Sequence, residues 1–176
     1  MRFVKILLNI VIFISLLWFL KPFVFKLSDN LVNEKKIKRY FNGAKYNYND
    51  DYIAVLKIPK INFMRGLHDV NSPLNDIDKN IAFLNDNYPN LNTNTVIMGH
   101  SGDSEVSYFK DLDKLKIGDL IYFYYDNHEY IFEVGDIYKV LKTGDVTVKR
   151  IKNKLTLTLI TCYLDNEQLV IIAYKK

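Results

Sequence analysis

The chain has one cysteine, Cys162, and three histidines, His68, His100 and His128. A thiol attacks as its thiolate and needs a partner that handles the proton. Imidazole, with its ordinary pKa nearest neutrality, is the side chain suited to that task. Cys162 ends the apolar run Leu157-Thr158-Leu159-Ile160-Thr161-Cys162, just before the loop 163–167. His100 ends a second run, Val96-Ile97-Met98-Gly99-His100, which continues into Ser101-Gly102-Asp103. Each residue stands where a rigid strand gives way to a loop, so one cleft can receive both. The chemistry this permits is nucleophilic attack by a thiolate with an imidazole handling the proton. Inert burial is the common fate of a lone cysteine, and the matching context of His100 is what argues against it here.

The other candidates offer less. His68 follows Leu67 at a strand exit, and His128 lies in an Asp126-Asn127-His128 turn, where solvation is the default. One cysteine rules out an internal disulfide and leaves no resolving thiol for redox work. Three scattered histidines and one cysteine show no zinc-ligand spacing, and Asp103 and Glu105 read as a solvated loop. No metal or cofactor is expected.

The elements that must position the pair are short. Strands are expected over 53–58, ended by Pro59, and over 61–67, 95–98, 120–125, 130–134, 137–141, 146–151, 155–161 and 169–174. So many Val-, Ile-, Thr- and Tyr-rich runs at short spacing argue for a closed or nearly closed β-barrel. Runs 155–161 and 169–173 are apolar on both faces, as central strands covered on both sides are. Short helical turns are expected at 76–85, where Ile77, Ile81 and Leu84 share a face, and at 108–115.

Ahead of this lies a different kind of segment. Arg2 and Lys5 precede a run from Ile6 to Leu20 that is apolar except for Asn9 and Ser15, and Phe23-Val24-Phe25 extends it. At ~1.5 Å per residue, about 20 such residues span a bilayer. Without a small-x-small cleavage site the run reads as an uncleaved signal anchor, and the positive-inside rule places everything after it outside the cytoplasm. Residues 1–27 are therefore expected as a transmembrane helix, 28–51 as a polar stalk or lead-in helix, and 52–176 as the catalytic domain. The composition of the 176-residue chain, 49% hydrophobic and 25% charged, suits one core-forming domain. Its net charge of +4 is spread along the chain, so no basic stripe tracks a phosphate backbone and nucleic acid is not an expected partner.

Residues 52–174 resemble the catalytic domain of a sortase, the Gram-positive enzymes that attach surface proteins to the cell wall or to one another. The resemblance rests on Ile58-Pro59-Lys60-Ile61, Gly99-His100, Tyr108-Phe109 with Leu112 and Leu115, Lys116-Ile117-Gly118-Asp119, and the ending Leu159-Ile160-Thr161-Cys162, in that order. It implies a mostly β fold, an eight-stranded sortase-type barrel with short helices behind a transmembrane helix. It also implies cleavage of a Leu-Pro-x-Thr-Gly-like sorting signal through a thioester on Cys162, with His100 as acid and base, and transfer to an amine. Partners would be signal-bearing surface proteins or pilins, an acceptor amine on a peptidoglycan precursor or pilin lysine, and the lipid bilayer. Thr161 and Ser101 would shape the substrate site. The short segment 142–154 is unlike class B, and no Asp-Pro-aromatic lid precedes the barrel as in most class C enzymes, so a compact class A, D or E type is expected.

One departure matters. The family's third catalytic residue is an arginine on the strand after the cysteine, and Gln168 stands at that position. Of the four arginines, Arg2, Arg39, Arg65 and Arg150, none lies on that strand. Either the Gln168 amide serves as the donor, or another cation such as Lys142 or Arg150 enters the site, or activity is reduced. The competing readings are a catalytically impaired module that binds sorting signals, and a thiol peptidase that hydrolyses its acyl-enzyme.

Overall fold

The computed structural model describes every residue except 1, 44, 49, 90–92, 145, 147, 149, 150, 152 and 165. The chain divides into two compact units, Met1–Lys35 and Lys36–Lys176. Helix α1 (Arg2–Phe41) forms the first unit and opens the second. Between Val4 and Leu27 its apolar side chains are exposed all round, and the helix is long and apolar enough to cross a membrane. The expected lead-in helix is continuous with this segment. Past Pro22 neither proline nor glycine interrupts the chain until Gly43, whose φ of +63° ends the helix in the left-handed region. Within the second unit, Ile37 packs with Tyr52 and Val55, Lys36 pairs with Asp50 at 2.7 Å, and Arg39 pairs with Asp51 at 3.1 Å.

Eight strands form a nearly closed barrel: β1 (Ala54–Ile58), β2 (Phe63–Leu67), β3 (Ala82–Phe83), β4 (Asn94–Met98), β5 (Leu120–Tyr125), β6 (His128–Leu141), β7 (Thr156–Tyr163) and β8 (Glu167–Lys175). Their order is β2-β1-β5-β6-β8-β7-β4-β3. Every neighbouring pair is antiparallel except β4 and β7, which run parallel. Asn80, just before β3, reaches to β2: its amide donates to the Gly66 carbonyl at 2.9 Å, and its Oδ1 accepts from Arg65 Nε. These bonds link the two ends of the sheet order. They also commit Arg65, which is buried beneath the Tyr108 ring 3.4 Å away.

Local chemistry explains the turns. Pro59 opens a 3₁₀ turn (Pro59–Ile61), and Asn62, at φ 51°, turns the chain into β2, which therefore starts later than Ile61. Asp126 and Asn127 both have positive φ, giving β5 and β6 a two-residue hairpin turn, and His128 beside them is exposed as expected. The runs expected at 130–134 and 137–141 are one strand, β6, which continues through a bulge at Gly135. A Cβ there would stand 2.6 Å from the Tyr174 ring, so only glycine lets that ring lie across the bulge.

Strands β7 and β8 lie inside the sheet order and are buried on both faces. Leu157, Leu159, Leu169, Ile171 and Ala173 face the main core; Thr158, Ile160, Val170 and Ile172 are buried on the other side. The strand expected at 146–151 is absent from Val146, Val148 and Ile151, while 147, 149 and 150 lie outside the described residues. The sheet explains this: β8 is flanked by β6 and β7, and β7 by β8 and β4, so neither offers a free edge there. The helical stretch expected at 76–85 is a single turn, closed by the Asn80 amide on the Asp76 carbonyl at 2.9 Å, before β3 begins. The stretch at 108–115 holds a 3₁₀ turn, Leu112–Lys114.

His68 is a structural histidine. It is buried at the exit of β2, its Nδ1–H donates to the Asp51 carbonyl at 3.1 Å, and its ring meets Tyr52 edge-on. Burial, reinforced by the nearby Lys36 charge, lowers its pKa to about 4. The same side chain in the unfolded chain titrates near 6.5. Between those values the unfolded chain binds a proton that the folded one refuses. The contribution is intact above about pH 6.5, falls as pH drops and levels off below about 4, amounting to about 3 kcal/mol in all. Urea unfolding of the full chain in detergent, compared with His68→Leu at each pH, measures it: wild type should lose stability relative to the variant across that window.

Candidate active site

The parallel pairing of β4 with β7 carries Gly99-His100 and Thr161-Cys162 to the same end of the sheet. The ladder runs from Asn94 opposite Thr156 to Met98 opposite Ile160, and the Gly99 amide extends it to the Ile160 carbonyl at 3.2 Å. Two hydroxyls then clasp the strand ends. Thr161, buried, donates to the Gly99 carbonyl at 2.8 Å, and Ser101 donates to the Cys162 carbonyl. Both residues assigned to the substrate site thus fix the backbone around the thiol and the imidazole.

Gly99 is required by close packing. A Cβ there would sit 2.9 Å from Ile81 and 3.0 Å from the Phe109 ring. Phe109 also donates its amide to the His100 carbonyl at 2.9 Å, so the histidine backbone is held from both sides. The imidazole Nε2 lies 2.9 Å from Asp78 Oδ1. Asp78 is reached because β3 pairs antiparallel with β4, Ala82 opposite Met98, which runs the residues before β3 back past the end of β4. The His100 side chain is 31% exposed and that of Asp78 82%, so water screens the pair.

Cys162 is partly buried, and among the described residues its Sγ has one polar contact, Lys142 Nζ at 3.8 Å. Gln168 lies directly opposite Cys162 across the β7–β8 ladder and opposite Val140 across the β6–β8 ladder. The register therefore places the two residues side by side on neighbouring strands. Arg65 is committed to the barrel edge and Arg39 to Asp51, and Arg150 lies outside the described residues. Asp103 and Glu105 are exposed, and no group of His, Cys, Asp and Glu among the described residues is placed to hold a metal.

Sequence reasoning missed Asp78, which lies 22 residues before His100 inside an expected helical turn. No local signal marks it, because the contact depends on the β3–β4 register. The energies of the two kinds of contact should differ. Thr161→Val leaves the buried Gly99 carbonyl without its donor and should cost about 1–3 kcal/mol in urea unfolding. Asp78→Asn, at a screened pair, should change stability by less than about 1 kcal/mol.

Comparison with known proteins agrees with this architecture. The family model for the sortase domain matches residues 56–176. No curated protein matches the chain significantly. Among solved structures, the chain is similar to a Clostridium perfringens sortase D5 transpeptidase, at 21% identity and a TM-score of 0.64, covering 84% of this chain and 98% of that one. It is similar to C. perfringens sortase C solved with the C-terminal cell wall sorting motif, at 26% identity and a TM-score of 0.61, covering 81% and 86%. It is also similar to sortase C-1 from Actinomyces oris, at 23% identity and a TM-score of 0.60, covering 71% and 72%. With a matched domain that runs from within β1 through β8 and takes in both strand ends of the clasped site, the chain belongs to the sortase family, whose members are cysteine transpeptidases.

Proposed function

We propose that this sortase cleaves a Leu-Pro-x-Thr-Gly-like sorting signal through a thioester on Cys162 and transfers the acyl group to an amine, anchoring surface proteins to the cell wall or joining pilins. The observation that carries this reading is the clasped β4–β7 pair, which brings the only thiol and a partly exposed imidazole to one end of the barrel. The similar C. perfringens sortase C, solved with the C-terminal cell wall sorting motif, supports the substrate class.

The Cys162 thiolate attacks the Thr-Gly carbonyl, and the carbonyl electron pair moves onto oxygen. Collapse expels the amine, which takes its proton from the His100 imidazolium, and leaves the thioester. An incoming amine attacks next, His100 takes its proton, and the thiolate departs. A positioned amine outcompetes water at this step, so hydrolysis is the slow side reaction. Thr161 and Ser101 shape the substrate site by fixing the backbone on which both groups stand, and Gln168 offers its neutral amide beside the thiol. Residues 1–27 serve as the single-pass anchor, 28–51 as the lead-in and 52–176 as the catalytic domain. With Arg2 and Lys5 in the cytoplasm, the barrel lies outside, within reach of substrates tethered at the membrane surface.

Intact-mass spectrometry of the full chain in detergent, after incubation with Leu-Pro-x-Thr-Gly-type peptides, tests this. Wild type should gain the mass of the N-terminal acyl fragment; Cys162→Ala should gain none, and His100→Ala should acylate about 10²–10⁴-fold more slowly. Adding an amine should convert the adduct to amide product. Free acid as the sole product would make the protein a hydrolase, and no adduct from any peptide, with the thiol still open to alkylation, would sink the transpeptidase reading.

A further inference from the structure

The thiol and the imidazole have separate side-chain partners. His100 Nε2 rests on Asp78, and Cys162 Sγ rests on Lys142. Lys142 is held there by the sheet. Its amide donates to the Asn166 carbonyl at 2.8 Å, one rung beyond the pairing of Leu141 with Glu167. Val140, Gln168 and Cys162 form one cross-strand row, and residues directly opposite in antiparallel ladders project from the same face. Lys142 is two residues past Val140, so it projects from that face too, and its stem crosses β8 to bring Nζ to 3.8 Å from Sγ. None of the ion pairs among the described residues includes Lys142. Tyr163, next to the nucleophile, lies under Lys139 with Nζ 3.7 Å from the ring centroid, so a second β6 lysine braces the same strand end.

We propose that Lys142 is a catalytic residue of this site, its ammonium holding the Cys162 thiolate before attack and then facing the negative charge that passes to the substrate carbonyl oxygen. A cation beside a sulfur favours its anionic, nucleophilic form. As the sulfur electron pair enters the new C–S bond, the carbonyl π pair moves onto oxygen and carries the negative charge there, where a flexible four-carbon stem can follow it. Lys142 keeps its proton throughout; His100 does the proton transfer. Gln168, the residue directly opposite Cys162, is neutral and so lets the ammonium approach without like-charge repulsion.

This inference rests on Cys162 being the nucleophile, and two independent readouts separate it from the transpeptidase reading. Full-length wild type, Lys142→Met, Lys142→Arg and the double variant Lys142→Met/Gln168→Arg are compared in detergent, with circular dichroism to establish that each is folded. The first readout is the ratio of alkylation rates of Cys162 by anionic iodoacetate and neutral iodoacetamide. That ratio cancels the amount of thiolate and reports the local charge. It should fall severalfold in Lys142→Met and persist in Lys142→Arg. The second is acyl-enzyme formation with the peptide panel, which should slow about 10²-fold in Lys142→Met. It should recover in the double variant, because the register puts residue 168 opposite the thiol. An unchanged ratio, or acylation of Lys142→Met at the wild-type rate, would overturn the proposal. So would a hydroxylamine-resistant adduct on wild type that is missing from Lys142→Met, because Nζ would then be an acyl acceptor. If wild type takes no peptide yet the ratio still falls in Lys142→Met, the charge at the thiol stands and the transpeptidase reading fails.

Discussion

The parallel pairing of β4 with β7 is the constraint on which the rest of the molecule depends. Parallel neighbours cannot be joined by a tight turn; the chain must leave and return. Here the excursion between them contains the β5–β6 hairpin, which supplies the strand that flanks β8. Because β4 and β7 run the same way, their C-terminal ends finish side by side, and any residues placed there meet. The Thr161 and Ser101 hydroxyls make that meeting specific by bonding each strand end to the other. Both are small groups that reach a backbone carbonyl without filling the cleft.

Burial sorts the histidines. His68 is enclosed at the exit of β2, where desolvation and the Lys36 charge disfavour its protonated form, so it serves as a neutral donor to a backbone carbonyl. His100 follows a glycine pressed against Ile81 and Phe109, which fixes its backbone while its ring stays partly open to solvent and to Asp78. The arginines are sorted in the same way. Arg65 and Arg39 are drawn into structural pairings, and among the described residues the cation at the thiol is a lysine at the end of β6. A point charge on a flexible stem suits a position reached from a neighbouring strand, where the planar guanidinium fork has no pair of oxygens to grip.

The helix that opens the chain answers to a different solvent. Its first unit exposes apolar side chains on every side, as a segment surrounded by lipid does, whereas the second unit uses the last turns of the same helix to bury Ile37 and to pair Lys36 and Arg39 with Asp50 and Asp51. One uninterrupted helix thus changes its manner of stabilisation along its length without a breaker between Pro22 and Gly43.

Much of this was legible in the residues. The apolar runs on both sides of Cys162 announced central strands, the Asp126-Asn127 pair announced a turn, and the strand-end settings of His100 and Cys162 announced that one end of the sheet could receive both. Local patterns carry such information because strand propensity, turn conformation and two-sided burial are properties of a few adjacent residues. The strand expected over 146–151 overreached at Val146, Val148 and Ile151, since β propensity makes a strand only where neighbouring strands leave an edge to receive it. The Asp78–His100 and Lys142–Cys162 contacts were decided by tertiary structure alone. Each joins residues about twenty positions apart through the register of neighbouring strands, and register follows from how the whole sheet pairs, which no short stretch of sequence contains.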